Sequence, residues 1–183
     1  MSRIGKKVVE IPKPVKVTIA EGLVTVEGPK GTLRQSFPAS IEVLFDESSR
    51  SIAVNLREEY AEDRFARAMW GTIRSLIQNM VTGVTEGYTK AMEIVGVGWG
   101  AQVSGQKMTL KLGFANPVEV MIPQGVSVEV DKQILRLSGV DKQVLGQFAA
   151  VLRSKRKPEP YNGKGIKFVG EVIKRKQGKQ FGS

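Results

Sequence analysis

Val24-Thr-Val-Glu-Gly-Pro-Lys-Gly-Thr-Leu-Arg-Gln-Ser-Phe-Pro38 returns later in the chain as Met108-Thr-Leu-Lys-Leu-Gly-Phe-Ala-Asn-Pro-Val-Glu-Val-Met-Ile-Pro123. Each copy reads as a strand of alternating polarity, a turn rich in Gly and Pro, and a second strand closed by proline. The likeness extends on both sides. Val15–Ile19 and Leu23–Glu27 alternate as half-buried strands across a turn at Glu21-Gly22. Ile41–Phe45 and Ser51–Leu56 form a further hairpin, echoed by Val126–Val130 and Ile134–Ser138. The offset between copies drifts only from 84 to 85 and then 83 residues. A repeat of that length is a duplicated domain, because solenoid units run to roughly 20–50 residues.

After each set of strands the apolar period changes from two to three or four. Ala61, Phe65, Ala68, Met69, Ile73, Leu76, Ile77 and Met80 predict a helix of five or six turns. Glu58, Glu59, Glu62 and Asp63 are expected in its first turns, where the helix dipole favours negative charge, and Gly83 is expected to stop it. A second helix follows Asp141, with Val144, Leu145, Phe148, Val151 and Leu152 facing inward. Phe65 and Phe148 fall at equivalent places, so both are expected inside. Strands followed by one helix, twice, give an α+β class of two tandem related domains, each with small antiparallel or mixed sheets and one helix around a single core. The expected boundaries are 1–82 and 83–183. Thr89–Val103 reads as an extra segment opening the second domain.

The 183 residues include no His and no Cys. Imidazole bases, His-ligated zinc, thiol nucleophiles and disulfides are therefore excluded. The 41% hydrophobic and 7% aromatic content predicts an aliphatic core. The start of the chain lacks the apolar run of a secretory signal, and the longest charge-free stretches, Ser75–Thr85 and Ile94–Gln106, are too short to span a bilayer. A soluble, intracellular protein is expected.

The net charge of +10 is concentrated at the ends: residues 153–183 carry +8, residues 1–16 carry +4, and the body between is slightly acidic. That asymmetry points to a polyanion-binding end on a near-neutral scaffold. Gly96-Val-Gly-Trp-Gly100 could approach a phosphate, but Ala101 stands where a dinucleotide fingerprint needs its third glycine. A kinked strand with close backbone packing is the better reading, with Trp99 in a core or seam. The pairs Asp46-Glu47, Glu58-Glu59 and Glu62-Asp63 have nothing apolar beside them to tune them for acid–base work.

The C-terminal segment is the informative one. Arg153-Ser-Lys155-Arg156-Lys157 ends the second helix with more positive charge than a helix dipole calls for. Pro158-Glu-Pro-Tyr161-Asn-Gly163-Lys164-Gly165-Ile166 follows, then a strand holding Lys167, then the basic run Lys174-Arg175-Lys176 with Lys179. Lys and Arg suit phosphates, Tyr161 a base or sugar, and Gly163 and Gly165 a close backbone approach to RNA. The expected RNA-binding set is therefore Arg153, Lys155, Arg156, Lys157, Tyr161, Gly163, Lys164, Gly165, Lys167, Lys174, Arg175, Lys176 and Lys179. A free-standing nucleic-acid chaperone would use the same chemistry. An enzyme would need a buried, perturbed lysine.

Ser2-Arg3-Ile-Gly-Lys-Lys7, the paired domains, Gly96-Val-Gly-Trp99 and above all Lys157-Pro-Glu-Pro-Tyr-Asn-Gly-Lys-Gly-Ile166 carry a resemblance over essentially the whole length. The chain resembles the bacterial type of the large-subunit ribosomal protein six family. It departs from the family's usual residues at Asn162, commonly Lys, and at Gly100, commonly Arg. The resemblance implies a non-enzymatic structural protein of the cytoplasmic ribosome. Its implied partners are 23S-type large-subunit ribosomal RNA, near the factor-binding region and stalk base, and neighbouring large-subunit proteins. It implies no cofactor, metal, membrane or small-molecule substrate, and makes the C-terminal domain the principal RNA contact.

Overall fold

The computed structural model describes residues 3–178. The chain divides into two compact units. One runs to Gly87 and takes in Val140–Lys142; the other comprises Tyr88–Gly139 and the chain from Gln143 onward.

The first unit contains β1 (Val9–Glu10), β2 (Lys16–Ala20), β3 (Leu23–Gly28), β4 (Gly31–Ser36), β5 (Ile41–Asp46), β6 (Ser51–Leu56) and helix α1 (Arg64–Thr85). These form two three-stranded antiparallel sheets, β1-β6-β5 and β2-β3-β4. The second unit repeats the plan with β7 (Tyr88–Val95), β8 (Gly100–Ser104), β9 (Lys107–Lys111), β10 (Val118–Met121), β11 (Val126–Asp131) and β12 (Ile134–Gly139). Helix α2 (Lys142–Lys155) and strand β13 (Gly165–Phe168) complete it.

Register makes the duplication concrete. Val9 pairs with Ile52 and Met92 with Leu135, so both members of the pair recur 83 residues later. Val17 pairs with Val26 and Ala101 with Leu110, both recurring after 84. The segment expected to be an addition, Thr89–Val103, is thus the counterpart of β1 and β2. The true addition is β13, which adds a fourth strand in the order β11-β12-β7-β13. The period-two reading missed this because β1 is only two residues long and carries no alternation to match.

Each unit closes on its own aliphatic core. In the first, Val24, Val26, Ile41, Val43, Ile52 and Val54 meet Ile73 and Ile77 of α1. In the second, Met108, Leu110, Leu135 and Leu137 meet Leu145, Phe148 and Leu152 of α2, with Ile166 from β13. Alternate residues of the strands point inward, so one face of each sheet is dry and the other wet. Among the described residues no polar or charged residue is buried.

Helix α1 corrects the expected reading in four places. It starts at Arg64 rather than Ala61, because the Asp63 carboxylate caps it by accepting the Phe65 N–H at 2.8 Å. Glu58 and Glu59 lie in a preceding 3-10 turn and not in the helix. Phe65 is 67% exposed, whereas Phe148 is 4% exposed, so the two are not equivalent. At 3.6 residues per turn, Ala66, Ile73, Ile77 and Val84 lie on one line, and Phe65 falls about 100° away from it. Gly83 is buried inside the helix, which runs on to Thr85. The stop comes at Gly87, whose φ of +76° lets its N–H turn back to the Thr82 carbonyl at 3.2 Å. The β3–β4 turn packs against the same end, with the Lys30 N–H donating to the Val84 carbonyl at 3.0 Å.

Strand β13 is held by a close approach. It pairs antiparallel with β7, and Gly165 at its start is buried against the chain leaving α2. A Cβ at Gly165 would stand 2.5 Å from the Pro158 Cα and 2.8 Å from the Lys157 carbonyl carbon, both backbone atoms that cannot rotate away.

Two stability measurements check this packing. In urea unfolding, Phe148→Ala should cost about 3–5 kcal/mol, while Phe65→Ala should stay within about 0.5 kcal/mol of the parent. Gly165→Ala should cost about 2 kcal/mol or more despite adding a single methyl group. An unchanged midpoint for Gly165→Ala would show that the Pro158 contact does not constrain β13.

Candidate nucleic-acid interface

The end of α2, the loop after it and the terminal segment come together through backbone bonds. The Arg156 carbonyl accepts the Ile166 N–H at 2.8 Å, tying the helix end to β13. Within the loop, the Glu159 N–H donates to the Lys164 carbonyl at 3.0 Å and the Gly163 N–H to the Glu159 carbonyl at 3.1 Å. The Lys176 N–H then reaches back to the Pro160 carbonyl at 2.8 Å. Lys174-Arg175-Lys176 therefore lies against the loop and is not a free run. The Arg175 guanidinium is 3.6 Å from where a Gly163 Cβ would stand.

The two glycines expected to approach RNA serve the chain itself. Gly163 and Gly165 are both buried, and the Gly163 N–H is already used by Glu159. Gly163 supplies the positive φ of +74° that the loop turn needs. Gly165 makes room for Pro158. The Gly163 N–H is spent within the loop and not held out to a partner.

The cations divide by environment. Arg153, near the end of α2, is held by Glu171 through two contacts, Nε to Oε2 at 3.2 Å and an Nη nitrogen to Oε1 at 2.5 Å. That bidentate grip holds the Glu171 carboxyl below the usual carboxylate range, helped by the Phe168 N–H at 3.0 Å, and it raises the Arg153 guanidinium further. Lys167 pairs with Glu93 of β7 at 3.2 Å. Arg156 lies over two rings, 4.5 Å from the centroid of Phe114 and 5.4 Å from that of Trp99. Lys155, Lys157, Lys164, Lys174, Arg175 and Lys176 are exposed and make no ion pair among the described residues. Tyr161 stands among them, 54% exposed. Lys179 lies outside the described residues.

Sequence reasoning missed Glu171, Trp99 and Phe114 as parts of this end. Glu171 carried a signal, as the one acid between Lys167 and Lys174. The two rings carried none, since their turns lie more than 40 residues before Arg156. Residues 96–99 form the turn from β7 to β8, and Gly100 opens β8. Gly96 and Gly113 leave space for the Trp99 ring, which would meet their Cβ atoms at 2.3 and 2.8 Å. Trp99 itself packs, partly buried, on the second core.

Hydrogen bonds from Ser48 and Ser49 hold the exposed Asp46 carboxyl down to about 2, which suits a turn and not a proton donor. Among the described residues no three carboxylates gather where a metal ion could sit, and no helix is long and apolar enough to cross a membrane.

Comparison with known proteins agrees with this layout. The family model described as ribosomal protein L6 matches residues 11–87 and 95–169, one match in each half of the duplication. The large ribosomal subunit protein uL6 of Persephonella marina is 46% identical over 183 residues, covering 100% of this chain and 99% of its own. The proteins of the same name from Sphingopyxis alaskensis and Clostridioides difficile are each 48% identical over 181 residues, covering 98% of this chain and 99% and 98% of theirs. With a duplicated fold, a family match in both halves and relatives aligned from end to end, the chain belongs to the ribosomal protein L6 family, whose members are structural ribosomal proteins and not enzymes.

Proposed function

We propose that this chain is a structural constituent of the large ribosomal subunit that binds large-subunit ribosomal RNA of the 23S type through the basic end of its second unit. The relatives' shared name supports the assembly. The observation that carries the RNA reading is the group of six exposed cations, without an ion pair among the described residues, and Tyr161 on three segments bonded to one another. In this reading the site lies near the factor-binding region and the stalk base, the working compartment is the cytoplasmic ribosome, and neighbouring large-subunit proteins are further partners.

Docking works by phosphate neutralisation and counterion release, with Lys155, Lys157, Lys164, Lys174, Arg175 and Lys176 as the donors. Tyr161 adds a ring for a base or sugar. Arg153, Lys167 and Arg156 act differently. The first two are already neutralised by Glu171 and Glu93, and Arg156 is stacked, so they shape the surface more than they contact RNA. Gly163 and Gly165 remain part of the proposed site as the residues that let the loop close.

Binding of the full chain to large-subunit ribosomal RNA and to a random RNA across a salt series tests this. Replacing Lys174, Arg175 and Lys176 together with Ala should flatten the log–log salt slope by up to about 2–3 units. Tyr161→Ala should leave the slope nearly unchanged and narrow the preference for the ribosomal RNA. A slope untouched by the triple replacement would remove the tail from the interface. Loss of co-sedimentation with ribosomes in high salt by the parent chain would favour a free nucleic-acid chaperone instead.

A further inference from the structure

Glu171 is an acidic residue in the most basic part of the chain, and simple electrostatics makes it a defect for binding a polyanion. Its geometry says otherwise. Its N–H donates to the Phe168 carbonyl at 3.0 Å, and its carboxylate accepts the Phe168 N–H at 3.0 Å, closing a tight turn just after β13. The same carboxylate holds Arg153 of α2 by both oxygens. One side chain thus links the end of the sheet, the last turn of the helix and the start of the tail. Only four residues separate it from Lys176, whose N–H is bonded to the Pro160 carbonyl in the loop. The tail is anchored at both ends: by Glu171 where it leaves β13, and by the Pro160 carbonyl where it meets the loop.

We propose that Glu171 is a positioning residue for the RNA site, which fixes the course of Lys174-Arg175-Lys176 so that these cations and the Pro158–Ile166 loop present one preformed surface. The proposal rests on the RNA-binding reading above. A tail ordered before binding does not lose its conformational freedom on contact, and that saving outweighs the repulsion of one carboxylate already neutralised by Arg153. The consequence runs against charge counting: removing a negative charge weakens binding to a polyanion.

Glu171→Gln keeps the shape of the side chain and removes its charge. In the full chain it should weaken binding to large-subunit ribosomal RNA about three- to tenfold at a fixed, moderate salt concentration, and flatten the salt slope. In the background with Lys174, Arg175 and Lys176 all replaced by Ala, the same change should cost nothing, because no tail cations remain to be placed. Hydrogen exchange of the free protein provides a second reading. The Lys176 amide should lose protection in Glu171→Gln while the amides of Leu145–Leu152 in α2 keep theirs. Binding as tight as the parent's or tighter would overturn the proposal. So would an equal loss in the triple-Ala background, which would make Glu171 a general support of the fold, or an unchanged Lys176 amide. Failure of the parent chain itself to bind the ribosomal RNA would sink the RNA reading and this inference with it, and is told apart because no variant is needed to see it.

Discussion

The pairing of β13 with the edge of β7 is the constraint on which the basic end of this molecule depends. Without it the chain after α2 would leave the body at Lys157, and the cations beyond would have no fixed place. The pairing requires the Gly165 backbone to pass so close to Pro158 that no Cβ fits. It also uses the Arg156 carbonyl, the point where helix geometry stops, as the acceptor for Ile166. Ile166 then enters the second core fully buried. A strand of four residues is thereby fastened by ladder bonds, by a buried side chain and by a steric fit that excludes other courses for the chain.

From that anchor the positive charge is sorted by partner. Exposed lysines keep their hydration and are cheap to hand over to phosphate, whereas a cation already in a bidentate pair or lying over aromatic rings is not. Arg153 and Arg156, the two guanidinium groups nearest the helix end, are used for construction. Their planar shape suits a carboxylate fork in one case and two aromatic faces in the other. The compact ammonium groups of Lys155, Lys157 and Lys164 stay exposed, with no ion pair among the described residues. A basic run in sequence is thus two populations in space, one holding the surface together and one facing outward.

This end is what the second unit adds to the duplicated plan. The two units share strand pairing, register and the placement of one helix, and each buries an aliphatic core with no buried polar residue among those described. What distinguishes the second is the addition after its helix. The first unit ends its helix in a turn at Gly87 and passes on. The second ends α2 in cations and continues through the loop, β13 and the tail.

Much of this was legible in the linear chain. The alternation of Val24, Val26, Met108 and Leu110 determined strands with one buried face, because side chains on a strand point to opposite sides in turn. The absence of His and Cys determined which chemistries were closed, and the ten cations after Leu152 determined where the positive charge gathers. Local pattern could not rank residues that share a period but differ in angle, so Phe65 looked like Phe148 until the helix axis placed it 100° from the buried line. Nor could it see partners far apart in sequence. Trp99 and Phe114 under Arg156, Glu93 beside Lys167, and Pro158 against Gly165 are contacts made by the folded chain. Only the tertiary structure decided that two glycines close the loop, that three of the cations are engaged, and that Glu171 grips Arg153 while closing the turn after β13. The reason is that composition records which charges a segment holds, while their availability depends on the neighbours that folding brings within a few ångströms.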